Sequence, residues 1–254
     1  GIMFLLPPHG SKAAGTNEDK EKNMSEKRNA LPANAKDVRR LLADALGEDK
    51  DSSVVIETLK GFRWHMTLYR CAIREVQTKF EVLDEELSIS RVRNPIDHIE
   101  SRVKSPESIM DKLRRGGHEF SLASMTQNLN DIAGIRIICQ YIDDIYTVAG
   151  MLGKQDDITV IKIKDYIKNP KSNGYRSYHM VVEVPVFFSE KKHFVRVEVQ
   201  FRTIAMDFWA SLEHDIKYKK EIPEPELLAA DLKECADIAY SLDVRMQSLR
   251  DRIM

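Results

Sequence analysis

From Val55 the apolar positions run Val55, Leu59, Phe62, Met66, Tyr69, Ile73, Val76, Phe80, Leu83 and Leu87, in steps of three and four. That spacing lays them along one stripe of a helix, so a long amphipathic helix is expected here, continuous or broken once. A second stripe closes the chain at Leu228, Leu232, Cys235, Ala239, Leu242, Met246, Leu249 and Ile253. Either stripe can pack on its own domain or against another subunit, and periodicity does not choose between them. Between the stripes the pattern turns to mixed α and β. Residues 134–141 (GIRIICQY) suit a buried strand, 143–152 a helix with Asp143 as N-cap, and 158–163 a strand of alternating branched residues. A loop at 165–177 leads to strands at about 178–187 and 194–203, joined by a short polar connection, and a helix follows from 204 to about 219.

These elements predict an α+β fold: a mixed, largely antiparallel central sheet with helices on one face, flanked by the long N- and C-terminal helices. Residues 7 to about 35 are rich in Pro, Gly, Ser, Asn, Lys and Glu and hold too few apolar residues to offset the entropy of ordering. Residues 1–50 are therefore expected as a flexible tail and 51–254 as the folded domain.

Composition narrows the function. The 254 residues are 43% hydrophobic, ample for a buried core, and 39 Lys plus Arg nearly balance 40 Asp plus Glu. No global charge excess points to DNA, a membrane surface or an anionic polymer, so any anion site must be local. Cys71, Cys139 and Cys235 are far apart and form no metal-ligand spacing. No apolar run reaches the roughly 20 residues of a membrane helix, and the opening apolar stretch lacks the basic flank of a secretory signal. A cytoplasmic protein is expected.

The chemistry concentrates on residues 193–203 (HFVRVEVQFRT). Val195, Val197, Val199 and Phe201 fall on one face, and Arg196, Glu198, Gln200 and Arg202 on the other. Such a polar row is ordinarily solvent-exposed sheet; it is also what a site needs to bind a metal-nucleotide and take a proton from a hydroxyl. Asp131, ahead of the 134–141 strand, offers a second carboxylate or simply a turn acid. Together the two acids could hold Mg²⁺, a hard cation satisfied by a few carboxylate oxygens, water and phosphate. Two basic clusters could meet phosphates: Arg102, Lys104, Lys112, Arg114 and Arg115 around a helix that starts at Ser105 and Pro106, and Lys162, Lys164, Lys168, Lys171 and Arg176 in and before the 165–177 loop. Tyr175 and His179 lie amid the second cluster, where a ring can stack on a base or plug a core edge. No GxxxxGK run followed by Ser or Thr and no GxGxxG occurs, so nucleotide binding would rest on side chains.

Four ordered blocks then set the chain beside a known family: NPIDHIESRVKSPESIMDKLRR, NDIAGIRIICQY, KDYIKNPKSNGYRSYH and VEVQFRTIAMDFWASLEH. From about Val55 to Ile253 it resembles the small alarmone synthetases, single-domain relatives of the synthetase domain in the long RelA/SpoT enzymes. The resemblance implies transfer of the β,γ-pyrophosphate of ATP to the 3′-hydroxyl of GDP or GTP, with GMP left open, giving AMP and the alarmones ppGpp or pppGpp. It implies Arg102 and Arg136 on either side of adenine and Lys104, Lys112 and Arg115 on the ATP phosphates, with Ser108 nearby. Tyr175 would stack on guanine, with Lys171, His179 and Gln200 positioning the acceptor. Asp131 and Glu198 would hold Mg²⁺, with Glu198 as general base. A homotetramer is the first expectation. His214 and Asp215 are adjacent but lack an upstream set of histidine ligands, so hydrolysis is not expected. Some tetrameric members are activated by alarmone through a phenylalanine and an asparagine; His98 and Asp207 stand at those positions, and an acid facing a phosphate-rich ligand predicts weak activation by pppGpp. The rival reading keeps the fold as a non-catalytic nucleotide or single-stranded RNA binding module, which has no need of the acid pair.

Overall fold

The computed structural model describes Val38, Arg40, Leu42 and residues 52–90, 93–217 and 224–253. The expected tail, residues 1–50, lies outside the described residues apart from Val38, Arg40 and Leu42; these are helical, and Leu42 is fully buried in the main core. Helix α1 (Ser52–Ser90) is one unbroken element, and its predicted stripe is the buried one, with Phe62, Met66, Tyr69, Ile73, Val76 and Phe80 all in the core. It lies across a five-stranded sheet made of β1 (Ile96–Val103), β2 (Ala133–Cys139), β3 (Thr159–Asp165), β4 (Tyr178–Phe187) and β5 (Lys192–Thr203). The strand order is β1-β2-β5-β4-β3. β2 and β5 run parallel and the other three pairings are antiparallel, the mixed and largely antiparallel sheet expected.

The register sorts the side chains into two faces. Ile99, Ile137, Phe201 and Tyr178 form one row across the sheet, and Ser101, Ile135, Val199 and Met180 the next, on the face covered by α1. Phe80 and Phe201 meet there edge to face with centroids 5.9 Å apart and neither exposed. Truncating either to Ala would cost about 3–5 kcal/mol. Helices α2 (Pro106–Arg115), α3 (Leu122–Asn128) and α4 (Ile142–Gly153) add Ile109, Leu113, Met125, Ile145, Val148 and Leu152 to the same core.

α2 starts as read: Ser105 caps it by accepting the Ser108 N–H at 3.2 Å, and Pro106 opens its first turn. α4 does not start as read. Tyr141 is its N-cap, and it is the Asp144 carboxylate that accepts the Tyr141 N–H at 3.2 Å. Asp143 instead takes a paired contact from Arg250, at 2.8 and 2.7 Å.

Helices α5 (Ile204–Lys217) and α6 (Pro225–Asp251) make a second, smaller cluster of Trp209, Ala210, Leu232 and Ala236, with Tyr175 packed against it. Along α6 the buried residues are Leu232, which belongs to the predicted stripe, and Ala236 and Asp243, which do not. Leu242, Met246, Leu249 and Ile253 of that stripe are exposed, because Asp243 and Arg250 anchor the helix through Thr203 and Asp143. No described helix is long and apolar enough to cross a membrane.

Candidate active site

The face of the sheet opposite α1 is polar because β5 alternates strictly. Directly paired residues point to the same side, so two rows cross the sheet there: Arg102, Gly134, Glu198, Val181 and Lys162, then Glu100, Arg136, Gln200, His179 and Lys164. The register thus brings onto one surface residues that lie as much as about a hundred positions apart in sequence.

Glu198, Gln200 and His179 of these rows close a ring of polar contacts with Arg202 and Tyr175. Gln200 Nε2 donates to Glu198 Oε2 at 2.7 Å, and Arg202 Nη2 donates to Gln200 Oε1 at 3.1 Å and to the Tyr175 hydroxyl at 2.9 Å. The Tyr175 hydroxyl lies 2.8 Å from His179 Nε2, and His179 Nδ1 lies 3.4 Å from Glu198 Oε1. Arginine can only donate, so the Tyr175 hydroxyl accepts from Arg202; with a proton on His179 Nδ1 facing Glu198, Nε2 is the acceptor for the Tyr175 proton. Burial pushes the Glu198 carboxyl upward, but the His179 contact and the Gln200 hydrogen bond outweigh it and hold the group below the usual carboxylate range. Glu198 is therefore ionised, as a proton acceptor must be.

Asp131 sits just ahead of β2, close enough for its charge to be felt at Glu198. Lys112 Nζ and Lys104 Nζ approach its Oδ2 at 2.6 and 3.1 Å. Burial again works against the charge, and the two lysines again prevail, holding this carboxyl below its ordinary value. Its Oδ1 is buried with no hydrogen-bond partner. An ionised carboxylate with one buried oxygen left open, beside a second ionised carboxylate, suits a hard divalent cation. No cluster of three or more potential metal ligands is present among the described residues.

The ATP-side candidates are not all equally engaged. Lys104 is anchored by its own N–H to the Ile132 carbonyl at 2.8 Å and is mostly covered, whereas Arg102 is exposed on the Glu198 row. Arg115 is exposed and its Nε donates to the Asp111 carbonyl at 3.3 Å; Ser108 takes part in the α2 cap, its hydroxyl 3.1 Å from that of Ser105. Arg136 is half-buried, with Nη1 3.2 Å from Glu100 Oε2 and 3.0 Å from Asp207 Oδ1. On the other side of the site, Lys171 Nζ lies 4.6 Å over the Tyr175 ring and 4.9 Å over Tyr166. Tyr166 also meets His179 edge to face at 5.2 Å.

Sequence reasoning gives no site role to Tyr166 or Arg202. Arg202 carried a signal in the β5 alternation. Tyr166 carried none beyond its place after Asp165. Asp207 turns into the sheet and pairs with Arg202 at 2.9 Å and with Arg136; His98 is exposed and contacts Asp97 at 2.7 Å.

Residues 101–223 match the family model described as a region found in RelA / SpoT proteins. The chain is 44% identical over 203 residues to the GTP pyrophosphokinase YwaC of Bacillus subtilis, spanning 80% of this chain and 95% of that one. It is 39% identical to B. subtilis GTP pyrophosphokinase YjbM over 73% of this chain and 86% of that one. Among solved structures it resembles the small alarmone synthetase 2 of B. subtilis, with a TM-score of 0.68, 43% identity and coverage of 75% and 98%. It also resembles small alarmone synthetase 1 of the same organism bound to its product pppGpp, with a TM-score of 0.70, 36% identity and coverage of 76% and 98%. With most of both chains matched at this identity, the chain belongs to the RelA/SpoT family, among its small alarmone synthetases.

Proposed function

We propose that the chain is a GTP pyrophosphokinase that moves the β,γ-pyrophosphate of ATP onto the ribose 3′-hydroxyl of GDP or GTP. The observation that carries this reading is the position of Glu198. It is an ionised, mostly buried carboxylate between Arg102 and Arg136 on one side and Tyr175 and His179 on the other, with the charge of Asp131 felt at it. A module that only bound a nucleotide or RNA would gain nothing from two desolvated carboxylates, whose burial disfavours their charge.

In this reading Arg102 and Arg136 set flat guanidinium planes against adenine, a contact that lysine could not make. Lys104 and Lys112 face the triphosphate from the Asp131 side, with Arg115 and Ser108 at its rim. Tyr175 offers its ring to guanine, and Lys171, which lies over that ring, moves off it to the acceptor's phosphates. His179 and Gln200 hold Glu198 in place. Asp131 and Glu198 would bind Mg²⁺, which supplies positive charge to the phosphate oxygens.

The step is a displacement at phosphorus. Glu198 takes the proton of the 3′-hydroxyl, the 3′-oxygen bonds to the β-phosphorus of ATP, and the bond from that phosphorus to the α,β-bridging oxygen breaks. AMP leaves, and the acceptor departs carrying two more phosphates. The lysines and arginines offset charge on the transferred group and on AMP. No hydrolysis of the product is assigned to this chain. A cytoplasmic location is part of the same reading, and the exposed apolar residues of α6 support a homo-oligomer, with a tetramer the first expectation.

Incubation with ATP, Mg²⁺ and each guanine nucleotide, with products resolved by anion exchange, tests the reading. AMP formed in equal amount with a guanosine carrying two added phosphates is expected. ADP, or free pyrophosphate without a modified guanosine, would assign a different reaction class.

A further inference from the structure

Two guanidiniums meet at one carboxylate in this site. Asp207 Oδ1 lies 2.9 Å from Arg202 Nη1 and 3.0 Å from Arg136 Nη1. Arg202 is 6% exposed, and each arginine has a buried Nε without a partner, so both depend on their few contacts for charge compensation. Two like charges this close repel strongly in a partly desolvated site, and the acid between them turns repulsion into attraction on both sides.

The two arginines lead in opposite directions. Arg136 runs toward Glu100 on β1 at 3.2 Å, on the side assigned to adenine. Arg202 runs to the Tyr175 hydroxyl and Gln200, and through them to His179 and Glu198, on the side assigned to the acceptor. We propose that Asp207 is a positioning residue that couples the two substrate subsites, holding Arg136 and Arg202 in fixed relation so that occupancy of one subsite favours binding at the other. The inference rests on the subsite assignments of the pyrophosphokinase reading. Its physical content is that adenine settling on Arg136 fixes the Asp207 carboxylate, which fixes Arg202 and so presents the Tyr175 ring already oriented. Each substrate then bears less of the ordering cost for the second. Asp207 comes from α5 and not from a strand, so it can tie the two sides together without lying between the substrates.

The test is calorimetric titration of AMPCPP in Mg²⁺ buffer, with and without saturating GDP, on the wild type, Asp207→Asn and Asp207→Glu, alongside thermal melting. The wild type should bind AMPCPP at least threefold more tightly when GDP is present. Asp207→Asn, which removes the charge, should bring that ratio close to one, and Asp207→Glu should restore part of it. A purely structural Asp207 would lower the melting temperature of the Asn variant and leave the ratio unchanged, which overturns the proposal. So does a wild-type ratio of one, a result that needs no variant to fold. A wild type that binds neither nucleotide would overturn the pyrophosphokinase reading itself, and the proposal with it.

Discussion

Lys112 Nζ lies 2.6 Å from Oδ2 of Asp131, while the other oxygen of the same carboxylate is buried with no hydrogen-bond partner. One half of Asp131 thus orders Lys104 and Lys112 and the other half is open. Asp131→Asn should weaken both uses. The Mg²⁺ concentration for half-maximal rate should rise about tenfold or more, in keeping with loss of a charged ligand. A magnesium titration of AMP release reads this; an unchanged midpoint would remove Asp131 from the metal.

Tyr175 has two separable parts. In the proposed reading its ring face stacks on guanine, while its hydroxyl joins Arg202 to His179. Losing base stacking costs about 1–3 kcal/mol, so Tyr175→Ala should raise the acceptor KM by roughly 5- to 150-fold and leave the ATP KM within threefold. Tyr175→Phe keeps the ring and should show a small change in acceptor KM with a lower kcat. Steady-state kinetics with each substrate varied separates the two; equal effects on both KM values would argue against a guanine platform.

Gly174 holds a backbone conformation at φ 87°, and a Cβ there would lie 2.6 Å from the Ala236 Cβ on α6. Gly174→Ala should therefore both strain the loop and push it off that helix. The left-handed conformation alone costs roughly 1–2 kcal/mol. At roughly 2–4 °C per kcal/mol for a domain of this size, a fall in Tm of several degrees is expected. Because Tyr175 is the next residue, the acceptor KM should rise as well. A melt unchanged from wild type would contradict the packing of loop against α6.

Asp243 is buried and makes its hydrogen bond with the Thr203 hydroxyl at 2.6 Å; burial pushes its carboxyl up to about 6 despite that bond. The unfolded carboxyl titrates near 3.8, so between these values the folded chain keeps a proton that the unfolded chain has lost. Stability from this group is present below pH 4 and is lost as pH rises through 6, by on the order of 3 kcal/mol. Asp243→Asn keeps an acceptor for Thr203 and should flatten that dependence. Denaturant unfolding at pH 4.5 and 7.5 should find the variant gaining on wild type at the higher pH. A variant losing ground there would mean that the charged form is paired.

The parts of the site visible in the sequence were those with a local period. The alternation of β5 places Glu198, Gln200 and Arg202 on one face, and the α1 stripe is buried at eight of its ten positions, with Leu59 and Leu83 partly buried against the core. β1 shows no strand alternation in its sequence because a register irregularity between Ile96 and His98 puts Ile96 and Ile99, three apart, both toward the core. Beyond Leu232 the buried line of α6 leaves the apolar stripe, because apolar spacing cannot see that Asp243 and Arg250 anchor the helix on a less apolar side. The ring through Tyr175 and His179 was beyond local reading altogether. It depends on how the 165–177 loop folds back over the β4 and β5 register, and on an arginine whose partner, Asp207, lies past the strand-to-helix junction.

The central claim is that Glu198 takes the proton of the attacking hydroxyl, and Glu198→Gln tests it most directly. Glutamine preserves shape and can still bond Gln200, but it cannot accept a proton as a carboxylate does. AMP release from ATP and GDP should fall by about 10²–10⁴-fold, or further if metal binding is lost too, with an unchanged melting temperature and GDP binding retained. Turnover within tenfold of wild type in a folded, GDP-binding variant would contradict the assignment.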